Sequence, residues 1–157
     1  MTEDELNNLT EDQQFNILGC GSRCIMKLAE LHGKPVSKSD FISRFSYLFP
    51  SKRCGLTNTA EQIEMAKELG LCRSSISLRS KRKVLELHAN HQTCGVLVLT
   101  DQNQNGNDLF HCRLLLGVDV DKDVWLLFSP HADGTDSDDP YSGSDLENQL
   151  VHYLVFC

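Results

Sequence analysis

The period of the apolar residues changes along this chain, and that change restricts the folds open to it. Up to Gly70 the hydrophobic positions recur at helical spacing, whereas from Cys94 onward they fall in short runs or alternate. Thr2-x-x-Glu5 and Thr10-x-x-Gln13 read as capping boxes that start short helical turns before Phe15. Cys24, Ile25, Leu28, Ala29 and Leu31 then form one face of a buried helix over about residues 20 to 32, with Gly33 and Pro35 as its stop. Ser37 or Ser39 caps a helix through Phe41, Ile42, Phe45 and Leu48 that ends before Pro50. Thr59, with Gln62 as its capping partner, opens a further helix that Gly70 closes. CRSSISLR reads as a short strand, and Ser80 caps a helix carrying Val84, Leu85, Leu87 and His88. CGVLVLT, LFHCRLLLGVDV, VWLLFS and QLVHYLVFC are strands, and DGTDSDDPYSGSD reads as a surface loop. Helices first and antiparallel strands afterwards predict an α+β domain with one group of helices packed on a sheet.

A length of 157 residues fits a single domain, 1–157, with one core. No apolar run approaches the roughly 18 residues of a membrane-spanning helix, so no membrane span is expected. The start, MTEDELNNLTEDQQF, is acidic where a signal peptide is basic and then apolar, which predicts a cytoplasmic protein or one delivered without a cleaved leader. The formal charge of -7 argues against nucleic acid as a partner. The acids concentrate in the C-terminal part, where nine stand against Lys122 alone from Leu114 onward, and this favours a basic or neutral peptide partner. The basic run Arg79 to Lys83 reads as a solvated helix start. Seven cysteines, an odd and dispersed set, predict free thiols rather than a disulfide framework.

One of those thiols stands apart. A thiolate is stabilised by the unpaired N–H groups and dipole at a helix N-terminus, and Cys20 opens the apolar helix between Gly19 and Gly21. Cys24, one turn later on the same face, reads as core. Among six histidines, His32 lies at the far end of the Cys20 helix, about 18 Å away at 1.5 Å per residue. His88 and His91 read as solvent-facing on a helix, and His152 as a structural residue of the last strand. His111 begins a strand and can point into a cleft, which makes it the candidate base. A hairpin turn around Val120 and Asp121 would bring Ser129 and Pro130 opposite it, where a group can orient the imidazole.

The run Gln14-Phe-Asn-Ile-Leu-Gly-Cys20-Gly-Ser-Arg-Cys24, continuing as IMKLAELHGKPVS, resembles the start of the C39 peptidase family, and His111-Cys-Arg-Leu-Leu-Leu-Gly-Val-Asp followed by VWLLFSP resembles that family's histidine strand and the next one. The resemblance implies a papain-like fold and a cysteine peptidase acting on a peptide or protein substrate. Cys20 would be the nucleophile and His111 the general base, Gln14 would donate to the oxyanion, and Ser129 would stand where the family has its histidine-orienting aspartate. Gly19 likewise replaces a usual aspartate. Asp133, or Asp119 and Asp121 in the turn, are alternatives for the orienting role.

The same residues also suit a glutamine deamidase or transglutaminase, or a module that binds peptide without cutting it. Cys20 and Cys24 with His88 and His91 lack the spacing of a zinc site, and no cofactor or metal is expected. Asp119-x-Asp121-x-Asp123 lacks the glycine and the glutamate of a calcium loop and reads as an acidic turn.

Overall fold

The computed structural model describes residues 2–47, 59–71, 80–91, 95–102, 108–131 and 134–155. The helices are α1 (Glu3–Asn7), α2 (Glu11–Leu31), α3 (Lys38–Phe45), α4 (Thr59–Glu68), α5 (Lys81–His91) and α6 (Gly143–Gln149). The strands are β1 (Gly95–Gln102), β2 (Asp108–Asp119), β3 (Val124–Pro130), β4 (Asp136–Ser142) and β5 (Leu150–Val155). The strand expected at CRSSISLR, Leu48, Pro50 and Asp133 lie outside the described residues, and α3 ends at Phe45 with Ser46 as its C-cap, before the expected Leu48.

The helix starts follow from local chemistry. Both capping boxes form: Glu5 N–H donates to Thr2 Oγ1 at 3.1 Å and Gln13 N–H to Thr10 Oγ1 at 3.2 Å, with the Glu5 and Gln13 side chains returning to the cap N–H groups. These reciprocal bonds satisfy donors that a helix start leaves unpaired. Ser37 caps α3 by accepting from Asp40 N–H at 3.1 Å. Thr59 is the first residue inside α4 rather than its cap, and Gly70 ends that helix region at φ 75°. At α5, Lys81–Lys83 of the basic run do lie on a helix start, where Arg82 is exposed and paired with Glu86 at 3.4 Å.

The five strands lie in the order β4-β3-β2-β1-β5, with every neighbouring pair antiparallel. The architecture is therefore α+β, and among the described residues no helix is long and apolar enough to cross a membrane. Two clusters sit on the two faces of the sheet. On one face, Val96, Cys112, Leu114 and Phe128 pack with Cys24, Ile25, Leu28 and Ala29 of α2, Phe41 and Phe45 of α3, and Met65 and Ala66 of α4. On the other, Leu97, Leu99, Leu115, Trp125 and Leu127 pack with Val84 of α5 and Leu146 of α6. Each fully buried Leu or Phe contributes about 1.5–3 kcal/mol, so both faces add to stability.

This corrects two expectations. One group of helices was expected on the sheet, yet α5 and α6 cover its second face. The DGTDSDDPYSGSD segment, expected to be a surface loop, supplies the edge strand β4 and the start of α6. In β4 the residues alternate between exposed and half-buried, with Ser137, Asp139 and Tyr141 turned inward. Pro140 is tolerated there because an edge strand can leave one side of its ladder unpaired.

Candidate functional site

Helix α2 changes direction at Gly19, which has φ 79° and ψ 179°. A side chain is essentially excluded from that backbone region, so glycine is what permits the break. The helical stretch after it starts at Cys20, which places the half-buried sulfur in the first turn of a helix segment. The sequence expectation of a helix from about 20 to 32 is thus met by the second half of a longer, broken helix. The glycine that departs from the resembled family's aspartate is also the residue that this geometry requires.

Strand β2 supplies the sulfur's other neighbours. Its pairing with β3 ends at Leu114↔Phe128, and beyond that point the N–H of Cys112 donates to Cys20 Sγ at 3.3 Å. Backbone N–H groups point along the plane of a sheet, so a sulfur that accepts from one lies beside the strand rather than above it. That position explains how consecutive residues of opposite orientation both reach it. The Cys112 thiol and, after it, the His111 imidazole act on the Cys20 thiol through hydrogen bonding that lowers it. From α4, buried Gln62 donates through Nε2 to Cys112 Sγ at 3.3 Å.

The consequence is a strongly acidic thiol. The hydrogen bond from the Cys112 thiol, then those from His111 and the Cys112 N–H, with the His111 charge, outweigh burial and hold Cys20 down to about 4. Cys112 moves the opposite way, because its proton is shared with the Cys20 thiolate and the group is buried. Cys24 is fully buried, and burial followed by the Cys20 charge pushes its thiol up, in keeping with a core residue.

The other expected site residues stand elsewhere. Gln14 directs its amide to the carbonyls of Leu6 at 2.9 Å and Leu9 at 3.3 Å, tying α2 to the preceding turn. It borders a cavity of about 340 Å³ between α1, α2 and α3, lined also by Leu6, Glu11, Ser39, Ile42 and Ser46 and not by Cys20 or His111. Ser129 is buried and shares a hydrogen bond of 3.4 Å with the Tyr141 hydroxyl, and its backbone does not come opposite His111. The reason is register: the turn spans Val120–Asp123, and a bulge at Leu116 shifts the ladder. Continued past Leu114↔Phe128, that ladder sets Ser129 against Arg113, whose guanidinium lies 5.0 Å from the Tyr141 ring. Asp119 and Asp121 lie at the far end of β2, about 25 Å from His111 at roughly 3.3 Å per residue, too far for the orienting role. His88, expected to face solvent, is half-buried, with its Nδ1 enclosed.

Two contributors were not anticipated. Cys112 was expected only as an apolar position on the core face of its strand, and Gln62 only as a capping partner. Arg23, one turn beyond Cys20, is 6% exposed and donates to the carbonyls of His131 at 2.7 Å, Gly134 at 3.1 Å and Thr135 at 2.7 Å. Asp136 lies 3.7 Å from the same guanidinium. One planar fork therefore pins the segment after β3 to the helix that carries the sulfur. Among the described residues no three His, Cys, Asp or Glu side chains converge as a metal site. Compared with protein-family models, with curated proteins and with solved structures, the chain finds no match.

Proposed function

We propose that this protein is a cysteine-dependent amide hydrolase, with a peptide or protein as its substrate. One observation carries the reading: the Cys20 sulfur stands at the start of a helix segment, accepts from the Cys112 N–H at 3.3 Å, and has His111 among the groups that hold its thiol down to about 4. A thiolate paired with a protonated imidazole is the arrangement that thiol hydrolases use.

In this reaction the Cys20 thiolate attacks the carbonyl carbon and the carbonyl π electrons move to oxygen. His111 protonates the leaving amine as the tetrahedral species collapses to an acyl-enzyme. A water molecule then loses its proton to His111 and attacks the thioester, releasing the acid and restoring the thiolate. With Gln14 bonded to Leu6 and Leu9, the oxyanion is left to backbone N–H groups at the helix start, which suit a developing negative charge. The C39-like papain fold suggested by the sequence agrees with helices preceding an antiparallel sheet and a sulfur at a helix start beside a histidine strand.

Timed iodoacetamide labelling with peptide mapping between about pH 5 and pH 9 tests the thiolate. Cys20 should label at the acid end of that range, well ahead of Cys24 and Cys112, whose thiols are pushed up. Incubation with unfolded protein substrates tests the reaction: new N-termini should appear, and Cys20→Ala should abolish them. Ammonia release without backbone cleavage would assign the same dyad to side-chain amides. Ordinary pH dependence of labelling at Cys20 would sink the proposal.

A further inference from the structure

We propose that Cys20 and Cys112 are a reversible oxidation pair, in which a hydroperoxide oxidises Cys20 and Cys112 then closes a disulfide onto it. This rests on the contact between Cys20 and residue 112 and on their unequal exposure, and it stands whether or not the chain hydrolyses amides.

Three observations carry it. The Cys112 N–H donates to Cys20 Sγ at 3.3 Å, which sets the Cys20 sulfur against residue 112, and the Cys112 thiol is the group that lowers the Cys20 thiol most. A disulfide needs Cα atoms about 4.4–6.8 Å apart, a separation that a sulfur in hydrogen-bond reach of the other cysteine's backbone permits. The exposures are unequal: Cys20 is half-buried, whereas Cys112 is 7% exposed and covered by the Gln62 amide. An oxidant from solvent therefore meets Cys20 first. Sensor cysteines combine an accessible thiolate with a neighbouring thiol that can resolve it, and this pair has both parts.

The chemistry balances with hydrogen peroxide as the oxidant. The Cys20 thiolate attacks one peroxide oxygen, the O–O bond breaks, and the departing hydroxide takes a proton to become water, leaving Cys20 as a sulfenic acid. The Cys112 sulfur then attacks the Cys20 sulfur, the S–O bond breaks, and the leaving hydroxide carries away the Cys112 proton as a second water. Two thiols are oxidised and one peroxide is reduced to two waters. The first step also prepares the second, because it removes the negative charge that had kept the proton on Cys112.

The test uses the full chain, exposed to hydrogen peroxide without denaturant, quenched with N-ethylmaleimide and mapped by mass spectrometry. A peptide pair linking Cys20 to Cys112 should appear, Cys20 labelling by iodoacetamide should fall to background, and dithiothreitol should restore it. Cys112→Ser should instead give a Cys20 sulfenic acid trapped by dimedone, and Cys24→Ser should still form the link. A Cys20–Cys24 bond, a Cys20 sulfinic acid formed while Cys112 stays alkylatable, or no change at Cys20 would each overturn the proposal. A chain that forms the link but cuts no peptide refutes the hydrolase reading alone, and one that cuts peptides without forming it refutes this one alone.

Discussion

Because the Cys20 sulfur lies beside β2, it meets the side chains of two successive residues, and the two are unequal. The Cys112 thiol contributes most to its acidity, ahead of His111. Replacing Cys112 with Ala should therefore move the labelling midpoint of Cys20 toward the ordinary thiol value of about 8.5, and further than His111→Ala does. Labelling rates across pH for the two variants decide the order. The same linkage acts on stability. With the folded value near 4, the unfolded chain binds more protons at Cys20 between that value and the ordinary thiol range. Stability from this group is thus complete above the unfolded value and is lost as pH falls through the folded one. Cys112 and Cys24 act in the opposite sense, since their raised thiols weaken the fold at alkaline pH. The melting temperature of the native chain should exceed that of Cys20→Ser by more at about pH 7.5 than at about pH 4.5. Cys20 was legible from its place at a helix start. Cys112 was not, because alternation along a strand assigns a face and says nothing about what touches its edge.

The element that matters most is α2, whose break at Gly19 gives Cys20 a helix start in the middle of a longer run. Gly19→Ala should cost about 1–3 kcal/mol, the usual penalty for a side chain in such a backbone region. If the chain relieves that strain by straightening α2, the sulfur leaves β2 and Cys20 labels like an ordinary thiol. Denaturant melts and a labelling curve on one preparation read both effects. The helix from 20 to 32 was legible from its apolar spacing and capping residues, which act over a few neighbours. Strand β4 was not, because its aspartates, serines and proline match the chemistry of a loop. Its place at the sheet edge follows from β3, which offers it a ladder from Val124↔Ser142 to Pro130↔Asp136.

At the scale of the molecule, the sheet is covered on both faces, and Trp125, the one tryptophan, lies 1% exposed in the cluster opposite α2. If the two clusters share one cooperative unit, unfolding followed by Trp125 emission should coincide with that followed by far-ultraviolet circular dichroism. Separate midpoints would mean that the two faces melt independently. Trp125→Ala should cost about 3–5 kcal/mol, as expected for emptying a large buried site. What the sequence determined by itself is that helices precede most of the strands, the caps at Thr2, Thr10 and Ser37, and one cysteine at a helix start, since periodicity and capping act within a turn or two. Only the tertiary structure decided that α5 and α6 cover the second face, that Ser129 meets Tyr141, that Gln14 meets the turn before α2, and that Cys112 and His111 act on the Cys20 sulfur with Gln62 bonded to Cys112. Those contacts depend on strand register, shifted here by a bulge at Leu116, and on packing between segments distant in sequence, which local spacing does not encode.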